Sequence, residues 1–312
     1  MAPSGKLCSW FGLLALGATS ALGAAGCHGR DRPNLVWGER GVQGGQLVKP
    51  RAIAIGPSDR LYLVDWTARI QVFDRDGNFL GKSWYPPDYR NGRPSGLSVD
   101  FDGNLVLSDS HYHRVQVYSP DGELLRTIGG EAGTGPGQLG YVSDALRDQD
   151  GNFYVAEFGE NQRISKFDTN GSFLKHWGAP GSEPGQFARI RAMALGPDGN
   201  LYVADACNHR IQVFSRDGEL IRLWGSPGTG SGELSYPYDV AFPPGNATCL
   251  YVVEYGNHRM QKFTLEGKSL GCWGGPGTQP GQLNSPWALA VDSRGNVHVV
   301  DSENHRVQRI TF

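Results

Sequence analysis

The chain has 312 residues, of which 39% are hydrophobic, 11% aromatic and 19% charged, and this composition excludes intrinsic disorder as its main state. Its 45 glycines are about double the usual share but follow no triplet period, which excludes collagen and indicates many tight turns. The net charge of −2 supplies no field that would attract phosphate backbones, so we expect no nucleic-acid partner.

The first segment of the chain has the pattern of an export signal. Residues 1–26 contain one positive charge, Lys6, followed by a 12-residue apolar run from Phe11 to Leu22 and then small residues before Cys27. The run is shorter than the roughly 20 residues that span a bilayer, which favours cleavage and export over a retained anchor. The residues around Cys27 resemble a bacterial lipobox, in which the cysteine is lipidated, and ordinary cleavage after Ala25 is the alternative. We therefore predict a signal peptide over 1–26, a lipidated Cys27 and short linker over 27–33, and a membrane-anchored lipoprotein that faces the periplasm or the cell surface.

From residue 34 onward the chain is built of internal repeats. One unit runs from an apolar strand at Ala192–Leu195 through an Asp-Gly turn to a second strand ending at Asp205, and its third strand begins at Arg210. Six copies follow one another, and their equivalent arginines are spaced by 45, 49, 47, 49 and 47 residues, at Arg69, Arg114, Arg163, Arg210, Arg259 and Arg306. Such a period with four short strands is typical of a propeller blade. The sequence therefore predicts an all-β, six-bladed propeller over 34–312.

The segments within each repeat favour strands, and the chain ends favour a closed ring. Runs such as Leu61–Val64 and Ile70–Phe73 are rich in β-branched and aromatic residues and too short for helices, and Asp-Gly pairs between such runs indicate hairpins. The last copy ends after its third strand at Phe312, whereas Asn34–Gly38 precedes the first copy and matches fourth-strand endings such as Trp224-Gly225. We expect the N-terminal strand to complete the sixth blade, because an open ring would expose sheet edges.

The repeats resemble those of a known family. The pattern Asp-x-x-Asn-His-Arg occurs at Asp205–Arg210 and Asp301–Arg306, and Glu254–Arg259 is a close variant. It resembles the NHL repeat of six-bladed propellers, and the resemblance covers about 280 residues. The chain therefore resembles NHL-repeat propellers of the bacterial, exported lipoprotein type.

We interpret the polar residues that recur in every blade as structural. The acid five positions before the arginine in the complete copies is expected to form a hydrogen-bonded pair with it across a loop. His209, His258 and His305 share one position in successive blades, so they lie far apart around the ring and cannot hold one metal. The cysteines lack paired C-x-x-C spacing. We therefore predict no metal and no cofactor.

The candidate ligand-binding residues are those that break the repeat. The residue just before each first strand is expected to line the mouth of the central channel, and these residues are, in blade order, Arg51, Ser95, Ser143, Arg191, Tyr238 and Trp287. Because blades 1 and 4 lie opposite each other, the two arginines are expected to face each other and could clamp a carboxylate or phosphate beside an aromatic wall of Tyr238 and Trp287. Asp144 and Asp239, one residue further on, could orient the arginines or bind a cation. The alternative is a water-filled channel in which the arginines pair with these acids or with solvent.

Three classes of function remain. We favour a lipid-anchored, monomeric binding or scaffold module that takes a protein, peptide or glycan on its loop-rich face. The second class is an enzyme resembling the peptidyl-hydroxyglycine amidating lyases. The resemblance implies zinc-holding histidines that are missing from the six mouth positions, although Arg51 or Arg191 with Tyr238 could imitate that family's arginine and tyrosine. The third is RNA binding or ubiquitin transfer, as in tripartite-motif proteins with NHL propellers, and the export signal, the charge and the lack of paired cysteines disfavour it. The chain contains no Gly-x-Ser-x-Gly, phosphate-loop or His-Glu-x-x-His motif, so we predict that it is not an enzyme.

Overall fold

The computed structural model describes residues 32–245 and 247–312, so the predicted signal peptide and Cys27 lie outside the described residues. In the described part, 24 strands form six antiparallel sheets of four strands each. The first strand of each sheet contacts the first strands of the two neighbouring sheets, which closes the sheets into a ring around a channel. The all-β, six-bladed propeller predicted from the repeats is confirmed.

Each blade has its first strand at the channel and its fourth strand at the rim. The strands of blades 1 and 2 are β2 (Ala52–Gly56), β3 (Arg60–Val64), β4 (Ile70–Phe73), β5 (Phe79–Trp84), β6 (Gly96–Val99), β7 (Leu105–Asp109), β8 (Arg114–Tyr118) and β9 (Leu124–Gly129). Those of blades 3 and 4 are β10 (Tyr141–Arg147), β11 (Phe153–Phe158), β12 (Arg163–Phe167), β13 (Phe173–Trp177), β14 (Ile190–Leu195), β15 (Leu201–Asp205), β16 (Arg210–Phe214) and β17 (Leu220–Trp224). Those of blades 5 and 6 are β18 (Pro237–Ala241), β19 (Cys249–Glu254), β20 (Arg259–Thr264), β21 (Ser269–Gly274), β22 (Pro286–Val291), β23 (Asn296–Asp301), β24 (Arg306–Thr311) and β1 (Leu35–Trp37).

The two ends of the chain meet in blade 6. β1 pairs antiparallel with β24, with Leu35 opposite Arg309 and Trp37 opposite Val307. Trp37 is only 8% exposed, and its ring lies 4.8 Å from that of Phe73 in blade 1. The N-terminal strand therefore closes the ring as expected, and it also ties the last blade to the first.

Helical structure in the described residues is limited to short 3-10 turns at Pro57–Asp59, Ser110–Tyr112, Ala206–Asn208 and Ser302–Asn304. None of the helices in this part of the chain is long and apolar enough to cross a membrane.

The recurring acid and arginine form the pair that the repeats predict. In blade 4, Arg210 Nε donates to Asp205 Oδ2 at 2.8 Å, and the same guanidinium donates to the carbonyl oxygens of Ser182 and Gln186 at 2.6 and 2.8 Å. Equivalent acid–arginine bonds occur in all six blades. In five blades the same arginine also bonds to carbonyl oxygens of the loop that enters the blade, whereas Arg114 of blade 2 bonds to Asp109 and Asp88. These bonds give the arginine a structural role.

The recurring histidine also has a structural role. The backbone N–H of Tyr236 donates to Nδ1 of His209, and the N–H of Ser285 donates to Nδ1 of His258 in the next blade along. The N–H of Lys49 in blade 1 donates in the same way to Nδ1 of His305 in blade 6. Each histidine thus links its own blade to the entry of the following one.

Candidate functional site

The candidate site is the mouth of the channel, at the end where the first strands begin. Arg51 and Ser95 come just before β2 and β6, as predicted. The other four mouth residues lie within the first three residues of their strands, at breaks in the hydrogen-bond ladder. These are Ser143 between Val142 and Asp144, Arg191 between Ile190 and Ala192, Tyr238 between Pro237 and Asp239, and Trp287 between Pro286 and Leu289. A β-bulge leaves the extra residue unpaired and redirects its side chain. The bulges therefore explain why these strands begin earlier than predicted.

The two mouth arginines lie on aromatic rings. The Cζ atom of Arg51 is 4.3 Å from the ring centre of Trp66 and 4.9 Å from that of Trp287. The Cζ atom of Arg191 is 4.7 Å from the ring centre of Tyr238 and also 4.9 Å from that of Trp287. Distances of this size are typical of cation–π contacts. The arginines of opposite blades are therefore brought onto one shared tryptophan.

The aromatic wall beside the arginines is larger than the sequence predicts. Tyr238 stacks on Tyr255 with ring centres 4.5 Å apart and planes at 20°. The ring of Trp287 meets Tyr238 and Tyr255 edge to face, at 5.3 and 5.9 Å. These packed rings fix the positions of both guanidinium groups.

Neither mouth arginine is paired with an acid in the described residues. Arg191 is only 6% exposed, forms no salt bridge there, and its buried Nε has no hydrogen-bond partner. The buried Nε of Arg51 is also unpartnered, and burial together with the charges of Arg191 and Arg93 lowers the pKa of Arg51 to about 10. Burial likewise lowers the pKa of Arg191. Neither guanidinium therefore has a direct ionic partner in the described residues, although the nearby charges of Asp144 and Asp239 oppose the lowering of the pKa of Arg191.

The two acids next to the mouth do not hold the arginines. Asp144 Oδ2 accepts the backbone N–H of Met193 at 2.8 Å, and Asp239 Oδ2 accepts that of Leu289 at 2.9 Å. Each carboxylate therefore accepts a hydrogen bond from a neighbouring first strand and forms no salt bridge with either arginine, although the charges of both acids act on Arg191. The prediction that the acids could orient the arginines stays a prediction. Burial raises the pKa of Asp144 to about 6 and that of Asp239 to about 8, the latter helped by the nearby charge of Asp144.

A cavity of about 350 Å³ occupies the channel below the mouth. Its lining includes both arginines, Tyr238, Trp287, both acids and Ser95. The hydroxyl of Ser95 donates to the carbonyl of Val142 at 2.8 Å. Ser143, which was predicted to line the mouth, is instead fully buried and does not line the cavity, and its hydroxyl donates to the carbonyl of Ala156 at 3.3 Å.

Three residues of the mouth are absent from the predicted set, namely Trp66, Tyr255 and Arg93, whose Cζ atom lies 5.2 Å from the ring centre of Trp66. A signal for two of them exists in the sequence. The position directly after the recurring acid breaks the repeat, and its residues in blade order are Trp66, Ser110, Phe158, Ala206, Tyr255 and Ser302. This position forms a second ring of variable residues around the mouth. Arg93 lies in a loop that departs from the repeat, so register does not identify it.

In residues 32–312 apart from 246, no three His, Cys, Asp or Glu side chains are grouped so that they could hold a metal ion.

The chain is similar to several known proteins. The NHL repeat profile matches residues 187–214 and 283–310. Over 151 residues, 46% of this chain, it is 27% identical to Protein brain tumor of Drosophila melanogaster. Over 89 residues, 27% of this chain, it is 34% identical to peptidyl-glycine alpha-amidating monooxygenase B of Xenopus laevis. The matched segments span only 14% and 10% of those two proteins.

The fold is also similar to that of solved propellers. A virginiamycin B lyase from Staphylococcus aureus, solved as an inactive variant with quinupristin, superposes with a TM-score of 0.60 at 16% identity. The superposition covers 88% of this chain and 83% of the lyase, and at this identity it shows the fold alone. The repeat pattern, the matched profile and the closed ring of six sheets all indicate the same fold. The chain therefore contains NHL repeats and folds as a six-bladed β-propeller.

Proposed function

We propose that this propeller is an exported, lipid-anchored recognition module that binds a protein, peptide or glycan through an anionic group held at the channel mouth. The observation that carries the proposal is Arg191, which is 6% exposed and forms no salt bridge in the described residues. Burying an unpaired charge costs several kcal/mol, whereas each cation–π contact returns about 0.5–2 kcal/mol. A bound anion would supply the missing compensation.

The stability of arginine variants tests whether Arg191 serves binding or folding. We expect Arg191→Met to stabilise the unliganded protein by about 1–3 kcal/mol, because an apolar side chain removes an uncompensated buried charge. Arg210→Met is the matched control. Arg210 is as deeply buried, at 8% exposure, but bonds to Asp205, so its loss should destabilise the protein by about 3–5 kcal/mol. Urea unfolding of the three proteins measures both. A destabilised Arg191→Met variant would show that Arg191 has a structural role and would contradict the proposal.

Anchoring is tested at Cys27, because the sequence around it resembles a lipobox. In a bacterial host, the wild-type chain should fractionate with membranes and yield an N-terminal peptide that begins with a lipid-modified Cys27. The Cys27→Ser variant should lose this modification and leave the membrane fraction. Identical fractionation of both proteins, with an unmodified N-terminus, would contradict lipid anchoring.

The second candidate is a lyase, and it is supported by the similarity to the amidating monooxygenase and by the grouping of Arg191 with Tyr238. Burial raises the pKa of Tyr238 above its usual range, although the charge of Arg191 opposes the shift. Turnover of a peptidyl-hydroxyglycine by the purified protein, lost in Tyr238→Phe, would favour this candidate. Absence of turnover with and without added zinc would leave binding as the function.

A further inference from the structure

The polarity of the mouth restricts the kind of ligand it can take. Resting on the proposed function, we propose that the mouth binds one carboxylate group that is attached to an apolar substituent. The carboxylate would lie against Arg51 and Arg191, and the substituent would lie in the channel below. This names the chemical class of the ligand, which the fold and its relatives do not.

The arginines offer hydrogen-bond donors to a ligand. Two aromatic rings lie within 4.3 to 4.9 Å of each Cζ atom, and neither guanidinium forms a salt bridge in the described residues. The N–H donors of a guanidinium lie in its plane and match the two oxygens of a carboxylate. Two such forks that share the ring of Trp287 suit a planar, two-oxygen acceptor.

The acids beneath the arginines favour a single negative charge over two. Both acids belong to the cavity lining, and the pKa of Asp144, raised by burial to about 6, leaves it mainly ionised at neutral pH. Its negative charge offsets one of the two guanidinium charges, so one negative charge on the ligand balances the charge of these three side chains. A monoanionic carboxylate meets this requirement.

The wall of the cavity favours an apolar substituent over a sugar. Small apolar residues line the channel just below the mouth, among them Ala52, Ala192 and Ala288. The hydroxyl of Ser95 already donates to a carbonyl, and that of Ser98, which also lines the cavity, donates to the carbonyl of Ala145 at 2.8 Å. A sugar ring would bury several hydroxyls without partners, which is costly, whereas an apolar group would not.

Calorimetric titration of the purified protein tests the proposal with defined probes. N-acetylphenylalanine is the carboxylate probe, and N-acetylphenylalaninamide is the same molecule without the charge. Glucuronate and inorganic phosphate represent a sugar acid and a dianion. We expect the acid to bind at least tenfold more tightly than each of the other three. A tripeptide with a C-terminal phenylalanine then represents a peptide terminus, and 3-phenylpropionate represents a free acid. The probe that matches the natural kind of ligand should bind more tightly.

Variants separate a wrong ligand class from a wrong site. Arg191→Met should weaken binding of N-acetylphenylalanine at least tenfold. Arg294→Gln, which removes an exposed charge from the hairpin between β22 and β23 on the opposite face, should leave it unchanged. If glucuronate or phosphate binds most tightly and still depends on Arg191, the mouth is the site but the proposed ligand class is wrong. The carboxylate proposal is overturned if no probe binds. It is also overturned if N-acetylphenylalanine binds equally well to Arg191→Met, and that result would show in addition that the mouth is not the binding site.

Discussion

Two arginines of similar burial illustrate how one residue type serves two roles. Arg210 is 8% exposed and its guanidinium bonds to a carboxylate and to loop carbonyls, as the equivalent arginine does in four of the other five blades. Arg191 is 6% exposed, packs on two aromatic rings and forms no salt bridge in the described residues. Structural residues repeat with the blade, whereas Arg191 has a counterpart only in Arg51. The unpaired charge, rather than the burial, marks the binding residue.

The acids beneath the arginines should make anion binding depend on pH. Both pKa values are raised, to about 6 for Asp144 and about 8 for Asp239, so each acid gains its negative charge as the pH rises through that value. The new charge opposes the bound carboxylate, which stays ionised throughout. We therefore expect affinity for N-acetylphenylalanine to fall between pH 6 and pH 9, by about tenfold for each acid at an effective dielectric constant of about 20.

The variant Asp239→Asn isolates one of these two steps. Its amide oxygen can still accept the N–H of Leu289, but its amide nitrogen cannot accept the N–H of Val240, which bonds to the other carboxylate oxygen at 2.8 Å. We expect the fold to persist with some loss of stability, the step near pH 8 to disappear and the step near pH 6 to remain. Calorimetric titration at half-unit intervals of pH measures both steps. A wild-type affinity that is constant over this range, or an unchanged step in the variant, would show that Asp239 does not act on the bound anion.

At the scale of strands, the repeats predict most of the fold. The period of the arginines gives the number of blades, and the match between Asn34–Gly38 and the fourth-strand endings gives the closure by β1, which pairs with β24 as expected. These features follow from local patterns, because each blade has the same strands and the same acid–arginine bond. Position within a repeat is therefore a reliable guide to position in the ring.

The details of the site are harder to predict from the sequence. Bulges place Arg191, Tyr238 and Trp287 inside their strands, and no local signal in the sequence distinguishes a bulge from an earlier loop. The hydrogen-bond partners of Asp144 and Asp239 cannot be predicted from the sequence, because they are backbone N–H groups of a neighbouring strand, which residue identity does not reveal. The prediction that Arg51 and Arg191 converge holds because it depends only on blade order.

At the scale of the whole ring, symmetry provides the scaffold and asymmetry provides the site. Acid–arginine bonds recur in all six blades. Blades 4, 5, 6 and 1 supply the two arginines and the aromatic wall, whereas blade 2 supplies the small residue Ser95. The mouth is therefore asymmetric, with both arginines on its aromatic side. A ligand would bind with its anionic group directed at the arginines.

A crystal structure of the purified protein grown with N-acetylphenylalanine tests most directly whether the channel mouth binds an anion. We predict density for the carboxylate within hydrogen-bonding distance, about 2.7–3.0 Å, of both Arg51 and Arg191, with the phenyl ring in the channel below. Density for the ligand at the outer rim or on the opposite face, with both guanidinium groups still unpaired, would contradict the claim that the channel mouth is an anion-binding site.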